Sequence, residues 1–465
     1  MNCKSVIVIS VITGALAGAP AMAKDNPGRG IGNSLPDAVT DTDFRNHSTE
    51  KIELGRKLMF DKVLSGNNNI SCATCHHALT DTGDGLSLPV GEGGVGLGKS
   101  RNTASGTADH IHERVPRNAP PVFNLGAHEF TTLFYDGRVQ FNPDFPSDCK
   151  TPVGNDLPDN LENVLACQAM FPVTSATEMA GQAGENTIAD AAAAGNLAGP
   201  GGVWEQLAER LQVIPEYVDQ FVAAFDDIND AADITYAHAA NAIAAFEGAN
   251  WRADNSPFDR YLRGDKKAMS KNAVEGMKRF YKGDSNGQSC ADCHSGKFQT
   301  DHSFHAVAMP QIGAGRGSNS PGKTGGYEDF GREQATDDES DILKFRTPTL
   351  RNIALTAPYG HAGAYDTLRA VVEHMVRPVD ALNSYDQSQA VLPPDEILDD
   401  DDFVTMDDPD RVRYIADHNE LPPFTYTDED VDLIIEFLHA LTDPDSIDLR
   451  SDQPFTVPSG LPLAD

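Results

Sequence analysis

The 465-residue sequence is short of positive charge: 36 Lys and Arg stand against 70 Asp and Glu, a formal net charge of −34. That balance excludes a general nucleic-acid binder, which needs cations to displace phosphate counterions. It suits a chain that meets basic or weakly charged partners. Long apolar runs are missing too, apart from one at the N-terminus. Sustained period-2 alternation is absent, so the fold is expected to be mainly α. An apolar content of 40% still supplies a core, which sets the chain apart from disordered or collagen-like sequences. Its length predicts two to three domains. Cysteine is sparse, seven residues in all, and its placement carries most of the information.

The N-terminal run reads as an export signal. Lys4 gives a short positive start, residues 6–19 an apolar stretch, and Ala21-Met22-Ala23 a small-residue cleavage site. The stretch is short for a membrane span, so no stable span is expected. Residues 1–23 are assigned as the signal peptide, cleaved after Ala23 and delivering the mature chain to the periplasm. Cys3 leaves with the signal, and six cysteines remain.

Two of the remaining pairs are written alike: Cys72-Ala73-Thr74-Cys75-His76 and Cys290-Ala291-Asp292-Cys293-His294. C-x-x-C-H is the attachment motif of c-type haem. Two thiols at this spacing reach the two vinyl groups of one porphyrin, and the next histidine lies under the ring to ligate iron. A thioredoxin motif needs no such histidine. A single zinc site would draw ligands from both motifs, which lie far apart. Two covalently bound haem c groups are therefore expected. The third pair, Cys149 and Cys167, sits in a Pro/Asp/Asn-rich segment and reads as a disulfide holding an insertion.

The chain repeats itself. An amphipathic stretch, residues 52–60, precedes the first motif, and residues 274–281 precede the second. Arg117-Asn118-Ala119-Pro120 with Asn124 is echoed by Arg346-Thr347-Pro348 with Asn352. Further helices are expected around Val203, Leu207 and Leu211, over residues 231–246, and over residues 427–441, where Thr427 and Asp430 have capping-box spacing. Two tandem cytochrome c-like haem domains with long loop insertions follow: residues 24–254, a polar linker at 255–265, residues 266–446, and a C-terminal tail at 447–465. The acidic run at 399–402 reads as a solvated loop.

Taken together, residues 54–60 with 72–76, 117–124 with Phe134-Tyr135-Asp136-Gly137-Arg138, 256–265, and 346–363 resemble the bacterial di-haem cytochrome c peroxidase and MauG superfamily. The insertions near 95–116, 139–170 and 379–422 fall outside the resemblance. It implies that peroxide binds at the N-terminal haem and that a six-coordinate C-terminal haem passes electrons in. His76 and His294 are then the proximal ligands. Met375 falls where the peroxidases place the second ligand of the electron-transfer haem, with His374 and Tyr359 as rivals; a thioether raises the potential. Glu178 matches the distal acid/base, able to take a proton from one peroxide oxygen and give it to the other. Calcium is expected between the domains, at Asn118, Thr356 and Pro358.

Two departures from the family pattern stand out. Glu92 occupies the position, sixteen residues after His76, where many members have a capping histidine, so the first haem is expected to be open in the diferric state. His110 and His112, in the adjacent insertion, are the residues that could restore a cap. Tyr135 replaces the usual Trp between the haems, and its oxidation is coupled to loss of its phenolic proton. The leading function is a periplasmic peroxidase that reduces H₂O₂ to water with electrons from a small c-type cytochrome or cupredoxin. A MauG-type enzyme that oxidises residues of a partner protein through a high-valent state is the alternative, and a non-enzymatic electron carrier is the third reading. Family members are often dimers, although one sequence identifies no surface for a homodimer.

Overall fold

The computed structural model describes residues 34–107, 110–313 and 328–464. The export signal lies outside the described residues. Helices dominate, and the strands are two or three residues long. Thr132–Leu133, Val139–Phe141 and Cys149–Lys150 form an antiparallel sheet, with Leu133 opposite Val139 and Phe141 opposite Cys149. Phe304–His305 pairs antiparallel with Phe345–Arg346.

One packing unit occurs twice. The Thr49–Phe60 helix begins where Ser48 accepts a hydrogen bond from the Lys51 amide, and the Lys271–Lys282 helix begins where Ser270 accepts one from the Ala273 amide. Each buries one apolar stripe: Leu54, Leu58 and Met59 in the first, Ala273, Met277 and Phe280 in the second. Each presents a glycine to a later helix, Gly55 to Tyr236–Asn250 and Gly276 to Asp428–His439. A Cβ on Gly55 would stand 1.8 Å from the Ala242 carbonyl oxygen, and one on Gly276 would stand 1.8 Å from that of Leu433. Phe246 and Phe437, each four residues further on, close the two contacts. Only a residue without a side chain lets these backbones approach so closely.

The loops repeat the correspondence. Asn124 and Asn352 both adopt positive φ. Asn124 accepts from the Ala253 amide beyond the first long helix, and Asn352 accepts from the Asp443 amide beyond the last one. Two separate apolar cores result, one around Leu54, Phe60 and Phe246, the other around Phe258, Phe280 and Phe437.

Four sequence expectations change in detail. The helix expected over 231–246 starts at Tyr236, because Thr235 caps it, while Asp230 caps a separate 3-10 turn at Ala231–Asp233. The 255–265 stretch carries a short helix, Pro257–Leu262; Phe258 is fully buried in the second core, and Asp259 pairs with buried Arg351. The terminal segment returns to the first half instead of trailing away. Ser459 donates to Asp61 Oδ1 at 2.6 Å, Asp452 accepts from Trp251 Nε1 at 3.1 Å, and Leu449 and Val457 join the first core. The acidic 399–402 run pairs with buried Arg114 through Asp399 and Asp402. The helix over 427–441 forms at Asp428–His439 with Thr427 and Asp430 in the expected capping box. The Cys149–Cys167 disulfide is present, with Cα atoms 6.6 Å apart.

Because the carbonyl facing Gly276 belongs to helix backbone, an added methyl forces the two helices apart. Gly276→Ala should destabilise the protein by roughly 1–3 kcal/mol, the usual range for overpacking. Chemical denaturation followed by circular dichroism measures this, and an unchanged midpoint would show that the helix pair is loosely held.

Candidate functional site

The two C-x-x-C-H motifs are built alike, the first on an α-helical turn at Cys72–Cys75 and the second on a 3-10 turn at Cys290–Asp292. Ser71 and Ser289 open each motif with a capping box, using Thr74 and Asp292. The His76 amide donates to the Cys72 carbonyl at 3.0 Å, and the His294 amide to that of Cys290 at 2.9 Å. Each motif thus turns back on itself at the histidine, and in the second the Cys293 thiol lies with Asp301 and His305, their ligand atoms within 4.8 Å of one another. His76 Nδ1 lies 3.1 Å from the Thr82 carbonyl oxygen, and His294 Nδ1 lies 3.1 Å from that of Gln299. A carbonyl only accepts, so Nδ1 carries the proton and Nε2 keeps a bare lone pair, the form a metal takes. Burial lowers both imidazoles below their ordinary range, which also favours the neutral ring.

These residues suit haem on structural grounds. Cys72, Cys75, His76, Cys290 and His294 are enclosed by protein, yet every one stays partly accessible. Side chains in that situation line an internal space. Burial pushes the Cys72 and Cys290 thiols up to about 12. The region between the motifs also contains unanswered polar groups. The Arg346 guanidinium, lowered to about 10 by burial, donates to the backbone carbonyls of Phe134 and Thr347. The Tyr135 hydroxyl and His361 Nε2 are buried without partners among the described residues. Carboxylates of a bound porphyrin are the type of group such donors receive.

Glu178 sits on a π-helical turn, Ala176–Ala180, a form common at functional sites. Its amide donates to Ser175 Oγ at 3.3 Å. The carboxylate is near enough to act electrostatically on Cys72, Cys75 and Arg138. The turn is tied to the loop containing Glu92: the Glu92 amide donates to the Thr177 carbonyl at 3.0 Å, and Gly91 packs directly on that carbonyl. Glu92 Oε1 accepts from Asn67 and Asn69 at 2.8 and 2.7 Å. His110 is engaged by Asp395 at 2.6 Å, and His112 is exposed.

At the second motif, the rivals of Met375 are already in use. Buried His374 contacts the Tyr365 hydroxyl through Nδ1 and the Val307 carbonyl through Nε2, both at 2.9 Å. The Tyr359 hydroxyl donates to the Ile353 carbonyl at 2.9 Å. Met375 is half-buried and packs against the apolar cluster that contains Tyr359 and Tyr365. Between the halves, Tyr135 lies 6.0 Å from the Phe345 ring, and Phe345 stacks on His361 at 3.7 Å. Asn118 donates through its side chain to the Leu86 carbonyl and through its amide to that of His361, which leaves Oδ1 free of the first bond. The Thr356 hydroxyl donates to the Ile353 carbonyl, and Pro358 is buried.

Sequence reasoning missed two residues. His361 gives no periodic signal, and its role emerges only from its stacking. Arg101, from the insertion, is 1% exposed and donates to the carbonyls of Val90, Gly91 and Gly96, fastening the Glu92 loop.

The profile of the di-haem cytochrome c peroxidase family matches residues 49–267. Cytochrome c551 peroxidase of Pseudomonas aeruginosa is 31% identical over 345 residues, 73% of this chain and 76% of that one. Methylamine utilization protein MauG of Methylorubrum extorquens is 28% identical over 344 residues, 74% of this chain and 73% of its own. Among solved structures, a MauG-like protein associated with microbial copper homeostasis superposes with a TM-score of 0.55 at 23% identity, covering 89% of this chain and 94% of that one. The di-haem peroxidase BthA from Burkholderia thailandensis gives 0.54 at 19% identity, covering 90% and 92%. The chain is a member of the di-haem cytochrome c peroxidase family, and thus a haem-dependent oxidoreductase.

Replacing Arg101 with alanine strands three carbonyls, two of them buried. Arg101→Ala should cost about 2–4 kcal/mol, given charge-assisted bonds of about 1.5–3 kcal/mol each with partial compensation by water. Hydrogen exchange should accelerate at residues 94–102 before it does elsewhere. Uniform acceleration across the chain would mean that Arg101 does not hold this loop in particular.

Proposed function

We propose that this chain is a di-haem c-type peroxidase, built as two tandem cytochrome c-like domains, that reduces H₂O₂ to water at its N-terminal haem. The repeated Gly55 and Gly276 packing unit supports the tandem arrangement. Cys72 and Cys75 would hold one porphyrin by thioethers and Cys290 and Cys293 the other, with His76 and His294 as proximal ligands. When bound, the haems supply the redox-active iron at both ends of the molecule.

The observation that carries this reading is the asymmetry between two otherwise equivalent sites. The first has a carboxylate, Glu178, on a π-helical turn, near enough to act electrostatically on Cys72. The second has a half-buried thioether, Met375, whose neighbours His374 and Tyr359 are occupied by hydrogen bonds. Glu178 takes the proton from one peroxide oxygen and delivers it to the departing one. Met375 closes the second site and favours electron transfer there. Tyr135, next to Phe345, lies on the route between the halves.

The engagement of Glu92 by two asparagines, and of His110 by Asp395, supports a first haem that is open in the diferric state. The same open site favours the second reading, a MauG-type oxidation of a partner protein. A pure electron carrier has no use for Glu178. Calcium at Asn118 Oδ1 and the carbonyls of Thr356 and Pro358, export to the periplasm, and a small redox protein as donor complete the proposal.

Glu178→Gln should lower peroxide turnover with a reduced donor cytochrome by about 10²–10⁴-fold, the span of general acid–base catalysis, while both haem absorption bands persist. Undiminished turnover would remove Glu178 from the chemistry. Tyr135→Phe should fold and slow transfer between haems in stopped-flow reduction; an unaltered rate would take the phenol out of the path.

A further inference from the structure

We infer that Glu247 and Asp84 are the proton-holding residues of the first haem site: together they take up a proton from solvent with each electron that enters the site and release it with each electron that leaves. This rests on the reading of Cys72, Cys75 and His76 as the seat of a haem whose iron changes oxidation state. Reduction of one H₂O₂ to two waters consumes two electrons and two protons. Glu178 only passes a proton from one peroxide oxygen to the other, so both consumed protons come from elsewhere. Two carboxyls, one proton each, hold that number.

Both side chains lack the partners that buried carboxylates ordinarily have. Glu247, on the Tyr236–Asn250 helix, is 7% exposed, and Asp84, in the loop after the first motif, is 1% exposed. Glu247 Oε2 and Asp84 Oδ2 are buried with no hydrogen-bond partner among the described residues. Burial without a partner favours the neutral acid over the carboxylate. It accordingly pushes Glu247 up to about 8 and Asp84 up to about 7. Each also attends a different thiol. After burial itself, Glu247 is the strongest influence on Cys72 and Asp84 the strongest on Cys75, and Glu178 acts on both thiols more weakly.

Nearby charges do not answer the two acids. On the elements packed against the Glu247 helix, Lys51 pairs with Glu162 and Arg56 with Glu53, Lys57 and Arg210 donate to backbone carbonyls, and Asp452 accepts from Trp251. Burial of His47 favours its neutral ring. Arg101 draws Asp84 downwards, but it is bonded to three carbonyls and the burial of Asp84 prevails. Lys99, whose chain lies over Gly85, is exposed. Each carboxylate is favoured when positive charge appears at the iron, so the proton leaves on oxidation and returns on reduction. The second motif has no such pair among the described residues: the carboxylates that act on Cys290 and His294 are Asp292, which is exposed, and Asp301, which is bonded to His305.

The test is a spectroelectrochemical titration of both haems in the full-length haem-loaded protein, at several pH values around neutrality and without peroxide. One proton per electron changes the redox equilibrium tenfold per pH unit, about 59 mV. The potential of the first haem should fall by roughly that slope as pH rises, while that of the second stays flat. Glu247→Gln and Asp84→Asn mimic the neutral acids, and each should flatten the slope about twofold and remove a protonated-carboxyl band from the redox-difference infrared spectrum. Asp84→Asn keeps the test open if Glu247→Gln does not fold. A slope unchanged in both variants overturns the proposal, because another group is then titrating. So does a flat first-haem potential in the unaltered protein, and so does an equal slope at the second haem, which shows a general charge effect. None of these results touches peroxide turnover, which tests the underlying reading separately.

Discussion

Everything in this protein depends on where one proton sits on each of two histidines. His76 and His294 both give Nδ1–H to a backbone carbonyl, that of Thr82 in one case and that of Gln299 in the other. A carbonyl cannot return the favour, so the opposite nitrogen of each ring must present a lone pair. The bond also fixes the ring plane, and a ligand held in orientation loses little freedom on binding metal. Gly55 and Gly276 bring two helix backbones together, and the loops that follow each motif are pinned by Asn124 and Asn352 to the far ends of those helices.

Duplication makes the differences informative. Where the two halves agree, in glycine, asparagine, capping serine and histidine, they answer the common need to seat a porphyrin. Where they disagree, the proposed function assigns them different tasks. In the proposed reading, Glu178 is the proton carrier at the first site and Met375 the closing thioether at the second. The disagreement extends to the surroundings: the insertion after the first motif fastens its loop through Arg101 and joins the second half through Arg114 and the His110–Asp395 pair. The terminal segment completes the join by bringing Ser459 back to Asp61. The mechanical ties between halves thus run through residues other than those proposed for the redox path.

Much of this could be read in advance, and the reason is locality. A thiol, two residues, a thiol and a histidine specify their own geometry, and a threonine three residues before an aspartate caps its own helix. The Cys149–Cys167 bond followed from compartment and composition. Features set by distant partners were hidden. Nothing near Phe258 says that a polar stretch buries an aromatic ring, nothing near Ser459 names Asp61, and nothing in the insertion says that Arg101 will be buried against three carbonyls. The start of the Tyr236–Asn250 helix was misjudged because five residues of alanine-rich sequence offered two caps, Asp230 and Thr235, and composition does not rank them.

The most direct measurement is the electron paramagnetic resonance spectrum of the fully oxidised, haem-loaded protein. One iron exposed to solvent opposite a second closed by Met375 gives one high-spin and one low-spin signal. Two low-spin signals and no high-spin component would mean that a protein side chain already fills the site where peroxide has to enter.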